Sequence, residues 1–181
     1  MSEEQTITIH VDGQALEARS GQMLIEVTDA AGITVPRFCY HKHLSVAANC
    51  RMCLVEVEKA PKPLPACATP VTAGMKVFTR SPLAREAQQG TMEFLLINHP
   101  LDCPICDKGG ECPLQNQTMD QGPVASRFVF EDKHKADKHV PLGELIFLDK
   151  ERCIQCGRCV RFQEEIADDP VIAFGQRGRN L

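Results

Sequence analysis

Three features of this sequence predict an α+β fold class. Short alternating stretches meet at an Asp-Gly pair near the start, helical patterns follow at about 22–31 and again from Ser81, and ten cysteines fall in three separate groups along 181 residues. Residues 5–19, QTITIHVDGQALEAR, alternate apolar and polar around Asp12-Gly13, the strongest short-range hairpin signal. The next stretch, SGQMLIEVTDAAG, reads as a short helix over about 22–31 closed by Gly32. A long irregular stretch follows over 33–52, then strand-like CLVEVE at 53–58, a proline-rich turn, and the segments LPACATP and MKVFT. Hairpin, helix, loop and further strands make a unit of about 80 residues compatible with a β-grasp.

Ser81-Pro82 opens a second helix, with a hydroxyl at the N-cap and proline at the first helical position. Leu83, Ala87, Phe94 and Leu95 trace one face of it at helical spacing. Pro100 ends it, because the residue before a proline is pushed out of the helical region, and that residue is His99. The mixed-charge stretch EDKHKADKHVP at 131–141 reads as an exposed linker, and LIFLDKERC after it as strand-like. The expected domains are 1–80, 81–122, a linker at 123–145, and 146–181.

Composition narrows the function. A net charge of -4 gives no basic surface for nucleic acid, and runs such as FLLI are too short to span a bilayer. The start, MSEEQTITIH, lacks the basic and apolar regions of a secretory signal and the arginine-rich look of a transit peptide, so a cytoplasmic protein is expected. In a reducing compartment ten cysteines point to metal or redox chemistry. With one Tyr and no Trp the aromatic core is thin, and inorganic centres are expected to supply part of the folding energy.

The first group, Cys39, Cys50, Cys53 and Cys67, has the spacing C-x10-C-x2-C-x13-C. Four thiolates suit a 2Fe-2S cluster or structural zinc. Zinc ribbons usually present two tight C-x2-C knuckles, and only one is present, so the cluster is preferred. CYH at 39–41 is half of a Rieske pattern, but CRMC places cysteine where the second histidine would be. His41 and His43 therefore read as ordinary loop histidines.

The second group, NHPLDCPICDKGGECPLQ, offers only Cys103, Cys106 and Cys112. His99 is either a helix-end histidine bonded to the last carbonyls or the fourth ligand. The ligand is preferred, because Pro100 turns the chain from His99 directly toward Cys103 and Gly109-Gly110 permits close backbone approach. Zinc on three cysteines and one histidine is the rival. The third group, Cys153, Cys156 and Cys159, is the C-x2-C-x2-C run that begins a 4Fe-4S site. No cysteine follows it and the other seven are placed, so its fourth ligand is expected beyond Leu181 and the chain is expected to be a fragment. Arg152, Arg158 and Arg161 beside it either offset cluster charge or form a solvated basic face.

The ordered series, and above all NHPLDCPICDKGGECPLQ and DKERCIQCGRCVRFQEEIADDP, resembles the N-terminal electron-transfer part of the large iron-sulfur subunit of NADH:quinone oxidoreductase, respiratory complex I. The resemblance covers essentially the whole chain. It implies a 2Fe-2S ferredoxin domain on Cys39, Cys50, Cys53 and Cys67, followed by small helix and loop 4Fe-4S segments. His99, Cys103, Cys106 and Cys112 would hold one 4Fe-4S cluster, and Cys153, Cys156 and Cys159 three corners of another. It further implies a part in a proton-translocating enzyme on the cytoplasmic side of the bacterial plasma membrane, with flavin- and NADH-binding and other hydrophilic subunits as partners. The chain has no G-x-G-x-x-G fingerprint and no catalytic dyad, so NADH, flavin and quinone are expected to bind elsewhere. Alternatives are an iron-sulfur diaphorase subunit of an NAD-linked hydrogenase, the N-terminal part of a formate dehydrogenase, and a zinc-stabilised scaffold.

Overall fold

The computed structural model describes residues 5–176, which divide between Gln89 and Gly90 into two compact units. In the first, strands β1 (Thr6–Val11) and β2 (Gln14–Arg19) form the expected hairpin, paired from Thr6 opposite Arg19 to Val11 opposite Gln14. Asp12 and Gly13 both have positive φ, +49° and +87°, as a two-residue turn matched to strand twist requires. Asp12 also anchors the turn: its carboxylate accepts the Thr79 amide at 2.8 Å and the Thr79 hydroxyl at 2.5 Å.

Helix α1 (Leu24–Ala30) is two residues shorter at its start than the pattern suggested. It ends where the Ile33 amide reaches back to the Thr28 carbonyl at 2.8 Å, around Gly32 at φ +71°. Strands β3 (Leu54–Val57), β4 (Leu64–Pro65) and β5 (Lys76–Phe78) complete a mixed five-stranded sheet of order β2-β1-β5-β3-β4. β1 and β5 run parallel; the other pairs are antiparallel.

The core follows from the strand period. Ile7, Ile9 and Val11 point to one face and meet Leu24, Ile25 and Val27 of α1, Val55 and Val77. Each fully buried aliphatic side chain contributes roughly 1.5–3 kcal/mol. Cys53, Cys67 and Tyr40 belong to the same core, so the first cysteine group is built onto the hydrophobic interior.

Helix α2 (Pro82–Leu96) begins as predicted, the Ser81 hydroxyl accepting the Ala84 amide at 3.1 Å. Its buried face is not the one that Leu83 and Phe94 trace. Leu83 is 42% and Phe94 76% exposed, whereas Ala84, Gln88 and Met92, spaced by four, are buried. Gln88 is accepted on that face because its side-chain amide donates to the Leu54 carbonyl at 2.9 Å.

The second unit is loop-rich. It holds α3 (Pro113–Gln121), the two-residue strands β6 (Val140–Pro141) and β7 (Phe147–Leu148), paired antiparallel, and α4 (Arg158–Glu165). The strand expected over 145–153 is thus reduced to Phe147–Leu148, with Leu145 and Ile146 exposed. The stretch 131–141 is largely exposed, but it is anchored at Lys133 and His134. No helix among the described residues is long and apolar enough to cross a membrane.

Candidate iron-sulfur sites

The first group is assembled from two directions. The irregular loop after α1 carries Cys39 and Cys50 and delivers Cys53 immediately before β3, while Cys67 sits in a single 3-10 turn, Ala66–Ala68, after β4. The Ala66 amide donates to the Cys53 carbonyl at 2.9 Å and ties the two segments together. Arg37 secures the loop by pairing both guanidinium nitrogens with the Asp29 carboxylate on α1 and donating from Nε to the Val35 carbonyl.

Cys39, Cys53 and Cys67 are buried and Cys50 is half-buried. Their thiols form a hydrogen-bonded chain, Cys50 to Cys39 to Cys67 to Cys53. Hydrogen bonding with Cys50 and then with Cys67 holds the Cys39 thiol well below its ordinary range, and hydrogen bonding with Cys67 lowers Cys53 to about 7. Cys50 and Cys67 are pushed up, first by those same bonds and then by burial. Four thiols so close together cannot all ionise unaided; a cationic iron centre would release the remaining protons. The Cys39 amide already points at the Cys50 sulfur, 3.4 Å away. His41 and His43 are exposed, and His41 Nδ1 accepts the His43 amide. Among the described residues no three His, Cys, Asp or Glu side chains close around one point as a lone metal ion needs.

In the second group, Cys103 starts a 3-10 turn, Cys112 caps the N-terminus of α3, and Pro113 occupies that helix's first position. Gly109 lies against the turn. A β-carbon there would sit 2.6 Å from the Cys103 carbonyl oxygen and 3.1 Å from that of Cys106. His99, Cys103, Cys106 and Cys112 all line one cavity of about 250 Å³, together with Gly109 and Arg152.

The carbonyls at the end of α2 bear on the two readings of His99. Lys133 Nζ donates to the Leu96 carbonyl at 2.8 Å and the Ile97 carbonyl at 2.9 Å, and the Asn98 side chain accepts the His134 amide at 2.9 Å. A lysine 34 residues downstream of His99 therefore fills the capping role. Burial first, and then the Lys133 charge, lower the His99 pKa, so its imidazole is neutral at pH 7 and has a lone pair to offer.

The third group lies across a tight loop and the first turn of α4, which carries Cys159. The Gln155 amide donates to the Cys153 sulfur at 3.4 Å, and Arg161 Nη2 to the Cys156 carbonyl at 3.4 Å. Arg152, next to Cys153 in sequence, pairs with Asp102 at 3.2 Å and Asp149 at 3.2 Å. Neither Lys133 nor this use of Arg152 carried a local sequence signal.

Comparison with known proteins agrees with this chemistry. Residues 4–82 match the family model of a 2Fe-2S iron-sulfur cluster binding domain, and residues 88–127 that of the NADH-ubiquinone oxidoreductase-G iron-sulfur binding region. Residues 143–181 match the ferredoxin-like domain of NADH-quinone oxidoreductase subunit 3. The chain thus carries 2Fe-2S and 4Fe-4S binding domains. It is 50% identical over 175 residues to the mitochondrial NADH-ubiquinone oxidoreductase 78 kDa subunit of Neurospora crassa, covering 97% of this chain and 24% of that protein. Identity to the mitochondrial NADH dehydrogenase [ubiquinone] iron-sulfur protein 1 of Solanum tuberosum is 52% over 176 residues, covering 97% and 23%. The chain spans about a quarter of the length of the curated relatives it matches first. Among solved structures, an NAD+-reducing [NiFe]-hydrogenase in the H2-reduced state aligns with a TM-score of 0.83 at 29% identity, covering 95% of this chain and 71% of the other. With three iron-sulfur domains in this order and about half of its residues shared, the chain belongs to the family of the NADH-quinone oxidoreductase 75/78 kDa iron-sulfur subunit and corresponds to its N-terminal region.

Proposed function

We propose that the chain relays single electrons within a proton-translocating NADH-quinone oxidoreductase, from the flavin subunit toward quinone. The observation that carries this reading is the cavity walled by one neutral histidine and three cysteines, in a chain about half identical to subunits of that enzyme. Cys39, Cys50, Cys53 and Cys67 are assigned to a 2Fe-2S cluster in a β-grasp ferredoxin domain over 1–80, which the mixed sheet with α1 packed on it supports. His99, Cys103, Cys106 and Cys112 are assigned to a 4Fe-4S cluster over 81–122. Residues 123–145 connect it to 146–181, where Cys153, Cys156 and Cys159 supply three ligands of a further 4Fe-4S cluster. When bound, such clusters supply one-electron chemistry at potentials that the protein adjusts.

The chain's own work is ligation, spacing and electrostatics. The buried thiols of Cys39, Cys53 and Cys67 exclude water, backbone amides at Cys39 and Gln155 donate to sulfur, and Lys133 holds the carbonyls at the end of α2. The expected partners are the flavin- and NADH-binding and other hydrophilic subunits of the same complex. The expected location is peripheral, on the cytoplasmic side of a bacterial plasma membrane. A second reading, the iron-sulfur diaphorase part of an NAD-linked hydrogenase, is favoured by the solved hydrogenase that shares the fold. Its 29% identity stands well below the 50% and 52% of the oxidoreductase subunits, so it ranks second.

Anaerobic assembly of the chain, iron and sulfide analysis and EPR test the proposal. His99→Cys should keep a four-iron centre and lower its potential, because a thiolate adds one negative charge; His99→Ala should lose or degrade it. Bound zinc without acid-labile sulfide would identify a zinc-stabilised scaffold instead.

A further inference from the structure

Arg152 precedes Cys153, and sequence order assigns it to the third cysteine group. Its side chain goes elsewhere: it lines the cavity of His99, Cys103, Cys106 and Cys112. The guanidinium is held there from two sides. Nη2 and Nε lie 3.2 and 3.4 Å from Asp102 Oδ2, on the residue just before Cys103, and Nε lies 3.2 Å from Asp149 Oδ2. Lys138 pairs with the same Asp102 and, at 2.6 Å, with Glu151. Three carboxylates and two cations make this network one charge negative in sum; Asp102 and Arg152 are its members on the cavity wall, and Arg152 is the cation of the two.

We infer that Arg152 serves the His99 site and sets its potential, a fixed positive charge that favours the reduced state of the iron-sulfur group held there. This rests on the 4Fe-4S assignment above. An added electron makes the group more negative, so a nearby cation stabilises the reduced form more than the oxidised one. The arginine and its two carboxylates are partly buried, which reduces screening by salt. Arginine suits the position because its charge does not titrate and its planar fork engages two carboxylates at once. Removing it would also leave Asp102 and Asp149 less compensated, and both changes lower the potential.

The test is a redox titration followed by EPR on the full chain with its clusters assembled. The signal that His99→Cys moves identifies the site. Arg152→Gln should disfavour reduction at least threefold, about 28 mV for one electron at about 59 mV per tenfold. Arg152→Lys should retain most of the potential, and Asp149→Asn alone should raise it. The double variant Arg152→Gln/Asp149→Asn should recover at least half of the loss, which a merely structural role would not produce. If Arg152→Gln does not assemble, the lysine and Asp149→Asn variants decide the matter on their own. An Arg152→Gln potential within threefold of the parent, a lysine variant shifted as far as glutamine, or a larger shift at the Cys153 centre would overturn the inference. A parent chain with no signal responding to His99→Cys would overturn the ligand assignment first, and this inference with it.

Discussion

Replacing Gly109 with alanine puts a methyl carbon into space that the cysteine loop already fills. The β-carbon would lie 2.6 Å from the Cys103 carbonyl oxygen, about 0.8 Å inside the 3.4 Å at which ordinary contact begins, and 3.1 Å from the Cys106 oxygen. Both obstacles are backbone atoms, so no side-chain rotation relieves them. The Gly109 amide also donates to the Cys106 carbonyl at 2.8 Å, so relief must come from opening the turn that carries two of the assigned ligands. Overpacking of this kind costs about 1–3 kcal/mol. The displacement matters more than the energy, because metal-ligand distances tolerate only about ±0.2 Å. Gly109→Ala should therefore lose at least half of the iron and sulfide of the His99 centre while the first unit keeps its own. Gly90→Ala is the matched control: it lies inside α2 with nothing within 4 Å of its β-carbon, and should stabilise the chain by about 1 kcal/mol. Iron and sulfide analysis, EPR and thermal melts read both variants. A Gly109→Ala protein with full iron content and an unchanged spectrum would refute the claim that this contact shapes the site.

Three further outcomes are expected. Lys133→Met uncaps the Leu96 and Ile97 carbonyls and should cost about 1–2 kcal/mol and speed iron loss from the His99 centre to a chelator, with Lys133→Arg recovering most of the loss. Asp12→Ala gives up both bonds to Thr79 and leaves alanine at φ +49°, so a melt should show a loss of about 1–3 kcal/mol, and no loss would mean that the turn is held by its strands alone. Gln88→Ala strands the half-buried Leu54 carbonyl beside Cys53; denaturant unfolding should show about 1–2 kcal/mol of destabilisation, and an unchanged midpoint would count against the bond.

The hairpin, the opening of α2 and the presence of iron-sulfur binding domains were legible because each rests on short-range signals in the sequence. Asp-Gly fixes a turn by its own dihedral angles, Ser81-Pro82 caps a helix within three residues, and a C-x2-C spacing brings two thiols to one centre whatever surrounds them. The buried stripe of α2 was not legible. Which face is covered depends on what packs against it, and a hydrogen-bonded Gln88 is as acceptable there as an aliphatic residue, while Phe94 is left at the surface. What holds the carbonyls at the end of α2 also lay beyond local pattern. Pro100 was expected to stop the helix at His99, but α2 ends at Leu96, and the carbonyls there are held by Lys133, brought back by a loop that reads only as polar. Arg152 shows the same limit in charge: sequence order puts it with Cys153, whereas Asp102 and Asp149 draw its guanidinium to the wall of the other cavity. Ligand types and spacings are chemistry written along the chain; the charges and caps around them come from residues that only folding brings near.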